Sequence, residues 1–332
     1  MMAAPLVEAG GPYNVPEGGT LVLAGSAVDP DGDALTFRWD LDGDGVFGET
    51  VTARGDERGA TPTFVATGLD GPSSRTVTLR VSDAGGLVGE GTAVIDVENA
   101  PPTVGTFTVP STANEGQLVS FNAAATDPAG ALDTLSYAWT VTDPAGTNSS
   151  FAGRPISFRF GRDGVYTVQV VASDEDGGAS APRTATVVVA NLPPVAIPGG
   201  PYSVPENGTI TLAGSASDPG GPDDGLTFAW DLDNDRVHGE TGTAALRGDE
   251  TGPTPTFSAA GLRANTVFLV ALRVTDDDGG NQARTVGISI TVAARAPVAD
   301  AGGPYESEAG SNLTLDASGS FDPDVGDQIA SY

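Results

Sequence analysis

The chain has 332 residues, of which 39% are hydrophobic and 18% charged, with 46 glycines, 25 prolines and no cysteine. A formal net charge of −29 repels nucleic acid and anionic membrane surfaces, so neither is expected as a partner, while cations are drawn in. The lack of cysteine excludes disulfides, thiol catalysis and thiolate zinc sites, and the abundance of glycine and proline fits many short strands joined by tight turns.

No apolar run reaches the roughly 18 residues that span a bilayer, so no direct membrane insertion is expected. The opening MMAAPLVEAGGPY lacks the basic and long apolar regions of a secretory signal. The first repeat begins with AGGPYNVPEGG, which carries Glu17, and continues into LVLAGSA, where Leu21 and Leu23 share one face. An acidic loop follows, DPDGD, with Asp29, Asp31 and Asp33. In LTFRW, Leu35, Phe37 and Trp39 point one way and Thr36 and Arg38 the other. The strand runs straight into DLDGDG, with Asp40, Asp42 and Asp44. In VTLRV, Val77, Leu79 and Val81 face inward, and Asp83 ends that strand. Alternation with period two predicts half-buried antiparallel strands, and helical periodicity is not evident.

These landmarks return in order. Glu115, Trp139 and Asp174 mark a second copy, and Glu206, Trp230 and Asp276 a third. Equivalent positions lie about 90 to 102 residues apart, the size of a small β-sandwich. The expected domains are residues 5–99, 103–191, 195–293 and a partial copy at 297–332. The links ENAPPT, ANLPPV and ARAPVA contain prolines that favour extended backbone, so a rod of domains is expected.

The order GPY, EG, DPDGD, WDLDGDG, VSD, NAPP resembles the tandem PKD (polycystic kidney disease) repeats of bacterial and archaeal surface proteins. The usual W-D-F-G-D-G centre appears in the first repeat with one inserted aspartate, and the second repeat departs to WTVTDPAG while keeping GRDGVYTVQVVASDEDGG. The resemblance implies an all-β chain of Ig-like antiparallel sandwiches at an extracellular or cell-surface location, and it implies no single activity. The fourth copy stops at QIASY, before the expected tryptophan. About 36 residues of a sandwich do not bury a core unaided, so the sequence is expected to be a fragment truncated at both ends.

The aspartates are the candidate metal ligands. Asp40, Asp42 and Asp44, followed by Gly45, match the first half of an EF-hand loop, but its bidentate glutamate would fall at Val51, and Glu49 comes two residues early. Asp-Gly pairs are equally good turn formers, so the stretch suits a small Ca²⁺ loop and a plain turn alike. In the third repeat Asp231, Asp233 and Asp235 are followed by Arg236, and in the second only Asp143 occupies this loop.

An Ig-like topology would put Asp29, Asp31, Asp33 and Asp83 at one end of a domain. Glu17, or Glu206 in the third repeat, would lie at the other end beside the DLDGDG turn. Each joint would then press acidic caps together, with Asp127, Asp174, Glu175 and Asp176 facing the first domain, a costly arrangement unless a cation intervenes. Short prolyl links after asparagine resemble cadherin joints, which use interdomain Ca²⁺.

The three tryptophans share one strand position and are expected in cores. Tyr13, Tyr202 and Tyr305 are expected at domain entrances, and Tyr166 at a tyrosine-corner position. A single histidine, His238, excludes two-histidine metal motifs, and no G-x-S-x-G elbow occurs, so no enzyme activity is expected. The expected role is a stiff, acidic, Ca²⁺-supported spacer or adhesion segment. Its partners would be protein, a polysaccharide matrix or neighbouring copies of itself. Alternatives are an accessory region of a secreted hydrolase and a subunit of an extracellular filament.

Overall fold

The GGPY sequence decides how the chain enters its first sandwich. The computed structural model describes residues 3–223, 225–278, 284–324 and 326–331. The first repeat forms strands β1 (Leu6–Glu8), β2 (Tyr13–Pro16), β3 (Thr20–Val22), β4 (Ser26–Val28), β5 (Thr36–Asp40), β6 (Thr63–Val65), β7 (Ser73–Ser82) and β8 (Val88–Glu98). Strand β1 pairs antiparallel with β4, and β2 pairs in parallel with β8, Tyr13 opposite Ile95. The chain changes sheets between them at Gly10 and Gly11, whose φ angles of 76° and 87° lie in the left-handed region that side chains resist. The Tyr13 hydroxyl pins the crossing: it donates to Ala9 O (3.0 Å) and accepts from Ala24 N (2.9 Å). Tyr202 repeats both bonds, with Pro198 O and Ala213 N.

The main sheet runs β2-β8-β7-β5, and the pairs β1-β4 and β3-β6 supply the rest of the sandwich. Its sheet is mixed and not purely antiparallel, because a strand that leaves one sheet rejoins the other beside the last strand, running the same way. The core holds Val15, Leu23, Trp39, Phe64, Val77, Leu79, Val81, Ile95 and Val97, with Val7, Leu21 and Ala27 packed against it. Trp39 has no exposed surface, and its Nε1 donates to Gly59 O (3.0 Å). Period-two alternation in β5 and β7 therefore put the expected side chains inside.

The third repeat copies this plan. Its main sheet comprises Tyr202–Pro205, Arg284–Ala293, Val267–Thr275 and Thr227–Asp231. A separate core gathers around Trp230, Leu212, Phe257 and Leu272, and Trp230 Nε1 donates to Gly252 O (3.1 Å). The middle repeat differs where its sequence differs. WTVTDPAGTNSSFA forms a hairpin, Ser136–Thr142 against Asn148–Ala152, in place of the acidic loop. Trp139 stacks on Phe107 (6.0 Å between centroids), and Tyr166 is buried.

The chain divides into two compact units, Met1–Ser111 with Val119–Phe158 and Val165–Val188, and Thr112–Leu118 with Arg159–Gly164 and Val189–Tyr332. Each joint described below lies within one unit. In the last copy Val298 bridges Phe321, and the Tyr305 hydroxyl donates to Asp316 O and accepts from Asp316 N, while Leu315 and Phe321 remain more than half exposed.

Candidate metal centres

At the first joint everything is organised around Glu17, which is buried although it is a carboxylate. Its N–H donates to Glu98 O (2.9 Å), its Oε2 accepts from Gly71 N (2.9 Å), and its Oε1 accepts from Ala100 N (3.0 Å). These bonds bring the residues just before those amides, Asp70 and Asn99, to one place. The second repeat contributes Asp127, Asp133 and Asp174. Asp127 Oδ1 accepts from Ala129 N (2.9 Å), and Asp174 Oδ1 accepts from Gly178 N (2.7 Å) and Asn99 Nδ2 (3.2 Å).

Several buried oxygens there have no hydrogen-bond partner: Asp70 Oδ1, Asn99 Oδ1, Asp127 Oδ2, Asp174 Oδ2 and both oxygens of Asp133. Asp133 is only 7% exposed. Glu17, Asp70 and Asp133 each place an oxygen within 4.8 Å of the others, and so do Asp127, Asp133 and Asp174. Buried carboxylates without donors are costly. Hard oxygens converging from several directions are what Ca²⁺ takes as ligands, usually six to eight of them. The donor set fits that ion.

Burial, and then Asp127, Glu17 and Asp70, push the Asp133 carboxyl up to about 8. Burial likewise raises Glu17. A carboxyl raised in the fold stabilises it while protonated. That contribution is complete below the unfolded value of about 4 and is lost as pH rises through the folded one. In chelator, the first joint should therefore melt at a higher temperature near about pH 5.5 than near about pH 8.5. Asp133→Asn should flatten that slope in thermal melts, and an unchanged slope in the variant would contradict the assignment.

The second joint repeats the arrangement. Glu115 N donates to Ala190 O (3.1 Å), Leu192 N donates to Glu115 Oε1 (2.6 Å), and Asn191 Nδ2 donates to Asp276 Oδ2 (3.1 Å). Asn191 Oδ1, Asp218 Oδ2 and Asp276 Oδ1 are buried without a partner. Burial and then Asp163 raise the carboxyl of Asp278.

The DLDGDG loop is a different place. Asp40 is buried and folds the turn, accepting from Gly43 N (2.7 Å) and Gly45 N (3.0 Å). Asp42 and Asp44 accept from the amides of Asp44 and Val46. The three aspartates lie within 4.8 Å of one another, so the loop is both a turn and a ligand set. In the third repeat Asn234 and Arg236 take positive φ (63° and 78°) where Gly43 and Gly45 stand, so the missing glycine does not change the loop. Asp231 Oδ2 accepts from Arg236 N (3.0 Å), and its Oδ1 is buried without a partner.

The buried companion of this loop is Glu57, which the sequence did not reveal. It is fully buried and accepts from Leu41 N (2.8 Å) and Glu49 N (3.3 Å), and it groups with Asp42 and Glu49. Glu250 does the same in the third repeat, beside Asp231 and Asp233. Asp235 accepts from Val237 N there. Glu17, expected at the end of the domain that faces the next repeat, groups there with Asp70 and Asp133, and Glu206, which accepts from Ala264 N (3.0 Å), occupies the matching position in the third repeat.

The other predicted cap is held by Asp29, whose Oδ1 accepts from Asp31 N (2.8 Å) and Asp33 N (3.2 Å), and by Asp83, which accepts from Leu87 N. Asp31 accepts from Ala3 N (2.8 Å). The ligand candidates missed in the sequence were Asp70, Asn99, Asp133, Glu57 and Glu250. A signal existed for two of them, since Asp70 precedes Gly71-Pro72 and Asp133 stands where Asp33 stands, six residues before the tryptophan.

Residues 99–189 match the family model described as the PKD domain. The repeats on either side of that stretch carry the same landmarks in the same order. Chitinase A of Pseudoalteromonas piscicida is 35% identical over 147 residues, which is 42% of this chain and 16% of that protein, so the chain spans a small part of that relative's length. Among solved structures, Sidekick-1 immunoglobulin domains 1-5 are similar at 16% identity, covering 88% of this chain and 59% of that one, with a TM-score of 0.38. The Drosophila OTK extracellular domains 3-5 are similar at 15% identity, covering 88% and 99%, with a TM-score of 0.27. Among the described residues no helix is long and apolar enough to cross a membrane.

Proposed function

We propose that this chain is a non-catalytic, extracellular segment of PKD repeats whose first two joints are held by Ca²⁺, and that it spaces or presents neighbouring modules while contacting protein or matrix polysaccharide. The observation that supports this reading is Asp133: a carboxylate 7% exposed, with neither oxygen hydrogen-bonded, set among Glu17, Asp70, Asp127 and Asp174. Without a cation such a site is destabilising, and with one it locks two repeats together. Extracellular modules of this kind bind Ca²⁺ at about 10⁻⁴ to 10⁻³ M. Calorimetric titration with Ca²⁺ should show binding in that range, and Asp133→Asn should remove one site. A wild-type chain that takes up no Ca²⁺ at millimolar concentration would defeat the reading.

The likeness to a chitinase favours a second reading, in which the segment serves a secreted hydrolase and touches its polysaccharide. Sedimentation of the chain with insoluble chitin separates the two: retention on the polymer supports the accessory role, and full recovery in the supernatant supports the spacer alone.

A further inference from the structure

The third joint is built from the same scaffold with opposite charge. Glu206 N donates to Ala293 O (3.0 Å), as Glu17 N does to Glu98 O. Ala264 N donates to Glu206 as Gly71 N does to Glu17. Arg263 therefore stands where Asp70 stands; Ala294 follows Ala293 as Asn99 follows Glu98, and Arg295 is the next residue, in ARAPVA.

The substitution changes what the joint needs. Arg295 N donates to Asp324 Oδ2 (2.7 Å), its Nε to Asp324 Oδ1 (3.3 Å), and its Nη2 to Pro323 O (3.0 Å). Asp324 is 4% exposed, yet both of its oxygens are bonded, unlike those of Asp133. The Arg263 guanidinium lies beside Gly326, in the same stretch. Arginine stays charged at any pH a protein survives, and its fork matches a carboxylate.

We infer that the third joint is closed by arginine and takes no divalent cation: it carries its counter-charge in the chain, where the first joint recruits one from solution. The contrast rests on the Ca²⁺ reading of the first joint, whereas the arginine closure stands on its own contacts. Falling Ca²⁺ would then loosen the joint at residues 98–103 and leave the one at 294–299 closed, so the ion would select where the segment bends.

Hydrogen exchange read by mass spectrometry on the full chain tests this at both places. Peptides covering residues 97–103 should exchange about tenfold faster in chelator than with Ca²⁺ at ten times its Kd. Peptides covering 293–299 should exchange equally in both. Asp324→Asn and Arg295→Asn should each speed exchange at 293–299 alone, by the same factor with and without Ca²⁺. Ca²⁺-dependent exchange at 293–299 in the wild-type chain would overturn the inference, as would variants that leave that peptide unchanged. Should neither peptide respond to chelator while both variants loosen 293–299, the Ca²⁺ reading of the first joint falls and the arginine closure stands.

Discussion

Transfer from millimolar Ca²⁺ to excess chelator should lower the melting temperature of this chain, and Asp133→Asn should remove much of that difference. A ligand that binds only the folded state stabilises it by RT ln(1 + [L]/Kd), about 2.7 kcal/mol at a hundred times Kd. For a domain of this size that corresponds to a shift on the order of 10 °C. The gain should centre on the first two repeats, because Glu17, Asp70 and Asn99 come from one and Asp127, Asp133 and Asp174 from the other.

Asp133→Asn should have a second effect in chelator, where it is expected to raise stability. It removes a carboxylate whose ionisation burial opposes while keeping the side chain's size. The variant should therefore be the more stable protein without Ca²⁺ and the less responsive one with it. Calorimetric melts of both proteins in both buffers check this, and a variant less stable than wild type in chelator would show that Asp133 is held by something other than a cation.

Trp39→Ala and Trp230→Ala each cost about 3–5 kcal/mol. Both rings are fully buried, and each also loses an indole bond to a carbonyl, Gly59 O or Gly252 O. The losses should be local. Among the described residues, Trp39 belongs to a core drawn from residues 7–97, and Trp230 to one drawn from residues 196–292. With no shared partners the two substitutions should add within about 0.5 kcal/mol. Calorimetry on both single variants and the double variant, with the remaining tryptophans as fluorescent reporters, measures this. A double variant much worse than the sum would mean that the two cores fold as one unit.

Asp40, Asp42 and Asp44 are legible in the sequence as one loop, whereas Glu57 is not legible as part of it. Their spacing was enough to place a turn with converging oxygens, because neighbouring aspartates on a short loop cannot lie far apart. Their buried companion Glu57 lies 13 residues beyond Asp44, in a stretch with no repeat landmark, and nothing local separates it from Glu49 or Asp56. Arg236 misled for a related reason. Its sequence position demanded glycine, yet the loop accepts an arginine at φ 78° because Asp231 holds its amide.

The alternation of LTFRW and VTLRV by itself determined the sandwich cores, since period two leaves a strand only one face to bury. Recurrence of GGPY, the tryptophan and the closing aspartate likewise determined the tandem architecture. The tertiary structure alone decided which of the 44 acidic residues matter. A carboxylate becomes a ligand by losing water and gaining no donor. That depends on what packs against it from a residue far away in sequence, as Asp133 is buried against Glu17 and Asp70. The same scaffold becomes self-sufficient at the third joint, where Arg295 reaches Asp324 across a contact no local pattern announces.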